Sequence, residues 1–457
     1  MKHRPLAVLD IVGLTPDLIG DATPNLAKLA SEGFMAPMQG VFPAVTCPAQ
    51  SSMLTGRLPR EHGIVANGWY FRDLAEVLFW RQANQLVLAE KVWEIARREH
   101  AGFTCSKLFW WYNMYSSADH SITLRPIYPA DGRKIPALYS RPSDLHEQIT
   151  SQIGPFPMFN FWGPAAGLQS SEWIARCAAE EFDLHRPSLQ LVYLPHLDYN
   201  LQRLGPDDPR IQTDLMAIDR VAGELIEHLR AAGADILVVS EYGIENATGC
   251  VHINRVLRDA GYLAVRETLG FDLLDCGASR AFAVADHQVA HVYVRDPGNT
   301  RAVRKLLQQT EGIERVLDDA GKKELAVDHP RSGELIAIAE PGFWFTYYYW
   351  LDDSRAPDFA RTVDIHRKPG YDPAELFIDP SLRLPALKMA WRLLQKKLGF
   401  RMLMDVIPLD ANLVQGTHGR LPHDSDRGPL VIGTRRDLAA DGFQMTDLRD
   451  LILRHWQ

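Results

Sequence analysis

Short apolar runs that alternate with segments of helical periodicity constrain the fold of this chain more than any other sequence feature. The runs PLAVLDIVGL, LQLVYLPHL and ADILVVS are each followed by such a segment, for example TPNLAKLASEGF after the first. Strands that are buried on both faces read as continuous Val, Ile and Leu runs. Strand and helix alternation is typical of a parallel sheet covered by helices. The pattern therefore predicts an α/β fold, a mainly parallel sheet flanked by helices.

The segment 211–230 shows the helical spacing most clearly, with apolar residues at Leu215, Ile218, Val221, Leu225 and Ile226. Two stretches rich in aromatic residues, about 110–170 and 335–400, interrupt the alternation. The chain has no obvious repeat or linker. We therefore expect a single domain over residues 1–457, with these two stretches as insertions and a smaller inserted cap.

Composition and charge exclude several classes of partner. The 457 residues carry a net charge of −8, which argues against general binding to nucleic acid or to an anionic membrane. Five scattered cysteines without a CxxC pair indicate a reducing compartment and no thiolate metal site. Asp10 interrupts the apolar N-terminal run, and no apolar stretch approaches the roughly 20 residues of a membrane helix. We expect a cytoplasmic protein without a nucleic-acid or membrane partner.

Polar residues stand where the apolar runs end. Asp10 lies in the first run, Asp198 and Glu241 follow the next two, and His418 occupies a glycine-flanked loop before PLVIG. Ligands of open parallel sheets bind beyond the carboxyl ends of the strands. Carboxylate and imidazole groups suit a divalent metal such as Zn²⁺ or Mn²⁺. These residues therefore predict a metal site at one edge of the sheet.

The stretch FPAVTCPAQSSMLTG, residues 42–56, predicts a short helix closed by Gly56. Pro48 suits the first helical position, which would make Thr46 or Cys47 the cap. The free N–H groups and the dipole of a helix start attract anions. A hydroxyl at this place would lie beside an anion site, although an ordinary capping role explains it as well.

The block around this stretch, TPNLAKLASEGFMAPMQGVFPAVTCPAQSSMLTGRLPREHGIVANGWYFRD, resembles the N-terminal signature of the type I phosphodiesterase/nucleotide pyrophosphatase family of the alkaline phosphatase superfamily. Thr46 occupies the position of that family's nucleophile, which is also a metal ligand. HGIVAN supplies Asn67 at the position that helps hold a phosphoryl oxygen. YLPHLDYNLQRLGP, VVSEYG and GTHG match the remaining metal-binding blocks in order.

The resemblance implies an alkaline phosphatase-like fold and a metal-dependent hydrolase. Its substrate would be a phosphodiester, pyrophosphate or phosphate ester of a small molecule, cleaved through a phospho-enzyme intermediate. The implied cofactor is a divalent metal, Zn²⁺ first and Mn²⁺ or Mg²⁺ next. The implied metal ligands are Thr46, Asp198 and His418, with Glu241 as a replacement for an aspartate. Asp10, on the same strand face as Val12, is either a substitute ligand or a structural acid. Trp69, Tyr70 and Tyr199 are candidates for stacking on an aromatic or glycan-like part of the substrate.

Three positions depart from the family pattern. Val12, Gln202 and Tyr242 stand where metal-binding Asp or His residues are expected. Three alternatives follow: a site rebuilt from other residues, a site for a single metal, or a metal-free protein. Candidate replacements are His196, His252, Asp286, His287, His291, Asp364 and His366. The alternative functions are a weak or inactive family member that binds a phosphorylated small molecule, and a phosphonate hydrolase.

Overall fold

A sheet of nine strands forms the centre of the protein, in a computed structural model that describes residues 4–130 and 134–457. From one edge to the other, the strands are Phe443–Gln444, Phe34–Gln39, Leu430–Gly433, Asp235–Val239, Leu6–Ile11, Leu189–Leu194, Cys105–Leu108, His120–Leu124 and Leu138–Arg141. The five strands from Asp235–Val239 to His120–Leu124 run parallel. This sheet confirms the predicted α/β class.

The continuous apolar runs form the middle of this sheet. Every residue of Leu6–Ile11, Leu189–Leu194 and Asp235–Val239 is buried. Burial on both faces explains why these runs lack the alternation of a half-exposed strand. Their carboxyl ends carry Asp10, Asp198 and Glu241 to the same edge of the sheet.

Helices lie against the central sheet and connect its strands. They are Pro24–Glu32, Thr46–Thr55, Pro59–His62, Val92–Glu99, Leu145–Ile153, Leu168–His185, His196–Leu204, Ile211–Ala231, Ile253–Asp259, Thr300–Gln308, Asp319–Glu324, Pro385–Lys397 and Asp447–Arg454. The helix predicted over 211–230 is confirmed, and its apolar side is buried. In the part of the chain that the structure describes, no helix has both the length and the apolar character needed to cross a membrane.

A second, antiparallel sheet of four strands packs beside the first. Its strands lie in the order Ala281–Asp286, Val289–Val294, Leu335–Ala339 and Ile313–Leu317. Two-stranded pairs flank it: Gly68–Phe71 with Glu76–Phe79, Glu245–Asn246 with Gly416–Thr417, Gly249–Val251 with Phe343–Phe345, and Val265–Thr268 with Phe271–Leu274. The turn between its first two strands places Asp286 and His287 against the end of the central sheet.

The helix predicted in the stretch 42–56 starts two residues earlier than expected. Val45 is the cap and Thr46 is the first helical residue, whereas the sequence placed Pro48 at that position. Proline is compatible with any position in the first turn, because N–H groups there have no partner within the helix. Gly56 ends the helix with φ of 62°, as predicted, in a conformation that favours glycine.

Candidate active site

Thr46 lies at the start of its helix and at the carboxyl edge of the central sheet, where it is 4% exposed. Its hydroxyl oxygen is 3.1 Å from the phenol oxygen of Tyr242. Tyr242 in turn donates a hydrogen bond of 3.3 Å to Asp198. Burial raises the pKa of the nearby Glu241 carboxyl, and the neighbouring Thr46 side chain offsets part of that rise. The predicted convergence of residues from separate strands therefore occurs around Thr46.

Gln50 holds two buried carboxylates together one helical turn beyond Thr46. Its amide nitrogen donates to Asp10 at 3.2 Å and to Glu241 at 2.7 Å. Burial raises the pKa of both carboxyl groups, and repulsion between them raises the pKa of Asp10 further. The second oxygens of both have no hydrogen-bond partner among the described residues. Gln50 therefore engages one oxygen of each carboxylate and leaves the other oxygen of each available as a ligand.

Asp198 and His418 form the other half of the site. The Nδ1 of His418 lies 2.8 Å from the carbonyl oxygen of Ala44. Because a carbonyl only accepts, Nδ1 carries the proton and Nε2 presents a lone pair. That Nε2 has no hydrogen-bond partner within residues 4–130 and 134–457, and it lies 3.9 Å from an oxygen of Asp198. One oxygen donor and one imidazole donor, so placed, fit a single divalent cation.

The Asp198 carboxylate is oriented by Gln202, one of the three positions that depart from the family pattern. Gln202 donates to it at 2.7 Å and accepts a hydrogen bond of 2.9 Å from Tyr371. Burial raises the pKa of Asp198 to about 7. Burial also holds the pKa of His418 well below its usual range, so the imidazole is neutral. Gln202 thus supports Asp198 rather than replacing a histidine ligand.

Asn67 is fixed beside the start of the Thr46 helix. Its side-chain oxygen accepts a hydrogen bond of 2.9 Å from the N–H of Cys47. Its backbone and side-chain nitrogens donate to Asp286 at 2.7 and 3.1 Å. Asp286 also lies 2.8 Å from Nδ1 of His287, and burial raises the pKa of Asp286 to about 6. The antiparallel sheet therefore orients an amide that faces the helix start.

His287 is the replacement candidate that reaches the site. Its ring stacks on Tyr371 at 3.6 Å and lies 3.8 Å from the ring of His418. Its Nε2 has no hydrogen-bond partner among the described residues. Burial holds its pKa well below the usual range, so it presents a second neutral imidazole.

The other replacement candidates have partners of their own. His196 pairs with Asp214 at 3.2 Å, although its ring lies in the same first turn as Asp198. His252 lies 2.8 Å from Thr346 and stacks on Tyr348. His291 contacts the Val65 carbonyl, and Asp364 pairs with Arg367. His366 lines the cavity described below. Val12 is completely buried and offers no donor atom.

Sequence reasoning missed Gln50 and Tyr371. Gln50 stands four residues after Thr46, which is the helical spacing that places two side chains on one face. That spacing was the available signal for Gln50. Tyr371 lies in a loop far along the chain, and no sequence pattern connects it with Gln202.

A cavity of 770 Å³ opens above Thr46. Its base includes Asp198, Tyr242 and His287. Its wall is mostly apolar and aromatic, and Arg81, Arg125, Lys134 and Lys396 also border it. Tyr199 lines the cavity as expected.

Trp69 and Tyr70 do not line this cavity, contrary to the sequence expectation. Trp69 stacks on Phe71 at 4.9 Å, and Tyr70 packs edge-on against Phe282 at 5.0 Å. Both residues belong to a two-stranded pair beside the antiparallel sheet.

The mainly parallel sheet flanked by helices is an alkaline phosphatase-like fold, and Thr46 lies at its carboxyl edge. Residues 6–372 match the family model of type I phosphodiesterase/nucleotide pyrophosphatase. The chain belongs to this family, whose members are generally dependent on divalent metals.

Curated relatives match about half of the chain. A pyrophosphatase/phosphodiesterase of Schizosaccharomyces pombe, described as uncharacterised, is 26% identical over 249 residues. Ectonucleotide pyrophosphatase/phosphodiesterase family member 1 of Mus musculus is 22% identical over 258 residues. These matches cover 52% and 54% of this chain, but only 44% and 24% of the respective relatives.

Solved structures match over nearly the whole chain. Murine ectonucleotide pyrophosphatase/phosphodiesterase 5 has a TM-score of 0.59 at 15% identity, covering 99% of this chain and 94% of its own. Phosphonoacetate hydrolase from Sinorhizobium meliloti 1021 has a TM-score of 0.62 at 13% identity, covering 100% and 96%. At these identities the likeness concerns the fold.

Proposed function

We propose that this protein hydrolyses a phosphodiester, pyrophosphate or phosphate ester of a small molecule, with Thr46 as nucleophile. One observation carries the proposal: the Thr46 hydroxyl lies at the base of the cavity with the Glu241 carboxylate and the Tyr242 phenol beside it. A hydroxyl becomes a useful nucleophile when an adjacent base takes its proton. A structure of murine ectonucleotide pyrophosphatase/phosphodiesterase 5 in which a threonine is changed to alanine is described as inactive and in complex with AMP.

Glu241 is the proton acceptor in this proposal. In the part of the chain that the structure describes, its Oε2 has no hydrogen-bond partner, while Gln50 holds Oε1 in place. As Oγ1 of Thr46 bonds to phosphorus, its proton passes to Glu241, the P–O bond to the leaving group breaks, and the leaving oxygen takes a proton from solvent; Glu241 returns its proton to Oγ1 when the phosphothreonine is cleaved. Water then hydrolyses the phosphothreonine and releases phosphate or a phosphomonoester. Burial raises the pKa of Glu241, which brings a carboxylate closer to the range of an efficient general base.

Asn67 and Tyr242 position the reacting groups. The fixed amide of Asn67 supports the transferring phosphoryl group together with the N–H groups at the helix start. Tyr242 holds the Thr46 hydroxyl and keeps it beside Asp198.

We place a single divalent cation, Zn²⁺ before Mn²⁺ or Mg²⁺, at Asp198 and His418. When bound, such a cation supplies charge neutralisation at the phosphoryl group. The family's two-metal ligand set is incomplete here, because Val12 has no donor atom and Gln50 already donates to both Asp10 and Glu241. Asp10 therefore has the role of a structural acid in this proposal.

The cavity supports a substrate that combines negative charge with a sizeable apolar or aromatic group. Its volume exceeds that of a phosphate group alone, and Trp80, Trp111 and Tyr199 contribute large apolar surfaces. Arg81, Arg125 and Lys134 provide positive charge at its border. A phosphonate would suit the same charges, and a structure of phosphonoacetate hydrolase is described as a complex with phosphonoformate.

A second candidate function is binding of a phosphorylated small molecule without turnover. The specific observation in its favour is that Tyr242 and Gln50 occupy space among the carboxylates where ligands to two metals are usual. In this case the helix start and Asn67 would serve as an anion site.

The deciding experiment measures hydrolysis of bis(p-nitrophenyl) phosphate, a nucleotide diester and phosphonoacetate, after chelation and after addition of Zn²⁺, Mn²⁺ or Mg²⁺. We expect metal-dependent turnover, a loss of at least 100-fold in Thr46→Ala and partial activity in Thr46→Ser. Undiminished turnover in Thr46→Ala would remove the threonine from the mechanism. A substrate that raises the Tm of the wild type but is not consumed would establish the binder.

A further inference from the structure

A second cluster of metal-ligand side chains lies at the opposite end of the central sheet from Thr46. His120 is the first residue of the strand His120–Leu124, whereas the residues around Thr46 follow the ends of parallel strands. Glu181 and His185 stand one turn apart at the end of the helix Leu168–His185. The cluster therefore joins a helix end to the sheet and takes no part in the site around Thr46.

The three side chains converge on one oxygen of Glu181, and the rings of His120 and His185 lie 3.9 Å apart. Nδ1 of His120 and Nδ1 of His185 lie 2.9 and 3.5 Å from the same oxygen of Glu181. None of the three atoms has a hydrogen-bond partner of acceptable geometry among the described residues. Ligand atoms around a tetrahedral zinc lie about 3.4 Å apart, given Zn–N and Zn–O distances near 2.1 Å. Their mutual distances all fall within 4.8 Å.

The surroundings of Glu181 favour a bound cation. Glu181 is fully buried, and Gln190 donates to its other oxygen at 2.8 Å. Gln190 is itself held by the carbonyl of Ala178 at 2.9 Å. This arrangement fixes the carboxylate and leaves one oxygen facing the two imidazoles, as supporting residues do around metal ligands. The side chains of His120 and His185 are 16% and 26% exposed, which leaves solvent access for a water ligand.

We propose that His120, Glu181 and His185 bind one Zn²⁺ ion as a structural site, with water as the fourth ligand. Two histidines and one carboxylate are a usual zinc ligand set. The ion would tie the end of the helix Leu168–His185 to the first residue of the strand His120–Leu124. Binding of Zn²⁺ at these three residues does not depend on hydrolysis at Thr46.

Zinc titration of chelator-treated protein tests this site separately from the first. In a His418→Ala background, we expect one tightly bound Zn²⁺ per chain by elemental analysis, and a higher Tm with zinc. Adding Glu181→Gln or His185→Ala should weaken that binding at least tenfold. Adding His228→Ala, a histidine that pairs with Asp183 on the neighbouring surface, should leave it unchanged. Two results would overturn the proposal. One is equal zinc binding by the folded His418→Ala protein and by its three variants with an added substitution, and the other is no zinc binding by the His418→Ala protein.

A separate surface lies at the cavity border, on the helix Pro385–Lys397 and its flanking residues. None of the thirteen helical residues is buried. An apolar stripe with spacing three and four runs along the outside, formed by Leu384, Leu387, Trp391, Leu394 and Leu398, which are 45–65% exposed. Contiguous apolar surfaces of this kind mark interaction sites. We name residues 380–404 the exposed amphipathic segment.

Charge identifies the partner of this segment. It carries six basic residues and no acidic residue, in a chain of net charge −8: Arg383, Lys388, Arg392, Lys396, Lys397 and Arg401. Lys388 and Arg392 pair with Asp405, which immediately follows the segment. Pairing with a second copy would bring two basic surfaces together. A basic helix with Trp and Leu on its apolar side instead suits an anionic lipid surface.

We infer that the exposed amphipathic segment docks on membranes that contain anionic phospholipid. Met389, Leu393 and Lys396 of this helix also line the cavity above Thr46. Given the proposed hydrolase, docking would present that cavity to phosphate esters with apolar chains. The inference revises the expectation of no membrane partner, which relied on the charge of the whole chain and not on its distribution.

Vesicle co-sedimentation tests docking without reference to hydrolysis. We expect binding to phosphatidylcholine vesicles with 30% phosphatidylserine, at least tenfold weaker binding to phosphatidylcholine alone, and weakening by salt. Leu387→Ser/Trp391→Ser and Lys396→Glu/Lys397→Glu should each lose tenfold or more. Leu269→Ser, at an apolar residue 91% exposed elsewhere, is the control. Unchanged vesicle binding by both double variants, or a stable dimer that only Leu387→Ser/Trp391→Ser dissociates, would overturn the inference.

Discussion

The phenol oxygen of Tyr242 lies 3.1 Å from the hydroxyl of Thr46, within hydrogen-bond distance of the proposed nucleophile. The same phenol donates to Asp198, so one side chain connects the nucleophile with the retained carboxylate. Its ring also stacks on His418 at 3.6 Å. A tyrosine binds a metal well only when ionised, and burial raises the pKa of Tyr242 well above its usual range. This residue therefore acts as a neutral hydrogen-bonding group.

Changing Tyr242 to Phe should keep the ring stacking and remove only the hydroxyl. We expect kcat to fall by about 10–100-fold, because Thr46 loses the group that orients it, with a stability loss of about 1–3 kcal/mol. Steady-state kinetics and thermal unfolding measure the two effects. A gain in activity would show instead that the hydroxyl obstructs the nucleophile.

Changing Glu241 to Gln should remove the proposed proton acceptor. We expect a fall of at least 100-fold in kcat, since general-base assistance contributes about 10²–10⁴-fold. Asp10→Asn is the matched comparison, because Asp10 shares the Gln50 amide with Glu241 but is not the proposed proton acceptor. Equal losses in the two variants would assign Glu241 a structural role only.

Asp286 should make folding stability depend on pH. Burial raises its pKa from 3.8 to about 6. The folded protein thus holds this proton more tightly than the unfolded chain does. Its contribution to stability is complete below pH 3.8 and is lost as the pH rises through about 6.

Asp286→Asn should therefore gain stability relative to the wild type between pH 4 and pH 7, by about 3 kcal/mol. Urea unfolding at several pH values measures the difference in unfolding free energy between this variant and the wild type. Contributions from Asp10, Asp198 and Glu241 cancel in this difference, because both proteins contain these residues. A difference that does not change with pH would contradict the raised pKa.

Gly243, directly after Tyr242, should tolerate no side chain. A Cβ atom at this position would lie 1.9 Å from the carbonyl oxygen of Arg427. We expect Gly243→Ala to cost at least about 2 kcal/mol of stability, because backbone must move. Gly20→Ala, where a Cβ meets no atom within 4 Å, is the control for thermal unfolding. Similar Tm values for the two variants would contradict the expected clash.

The sequence was sufficient to predict the sheet and the convergence at its edge. Buried parallel strands have a clear apolar signal, and their carboxyl ends necessarily meet, which places Asp198 and Glu241 near Thr46. The contacts of individual polar side chains have no such periodic signal. His196 shares a helical turn with Asp198 but pairs with Asp214, and Gln50 has the appearance of an ordinary helical residue.

The net charge of the whole chain also does not reveal the basic residues concentrated in the exposed amphipathic segment. The aromatic stretch 335–400 was recognised as an interruption, but its outward apolar stripe depends on which side of the helix Pro385–Lys397 contacts the protein. Sequence spacing predicts that such a stripe exists and does not predict whether it is covered. For Trp69 and Tyr70, proximity to Asn67 along the chain gave no information on side-chain direction.

The hydrogen bonds from Asn67 to Asp286 join residues that are 219 positions apart. Because one partner belongs to the antiparallel sheet, the amide acquires its orientation only after the two sheets have come together. Contacts of such long sequence separation are entropically costly and form slowly. The site therefore becomes competent late in folding. Loosening the contact between the two sheets would abolish the activity of the protein while its central sheet stays intact.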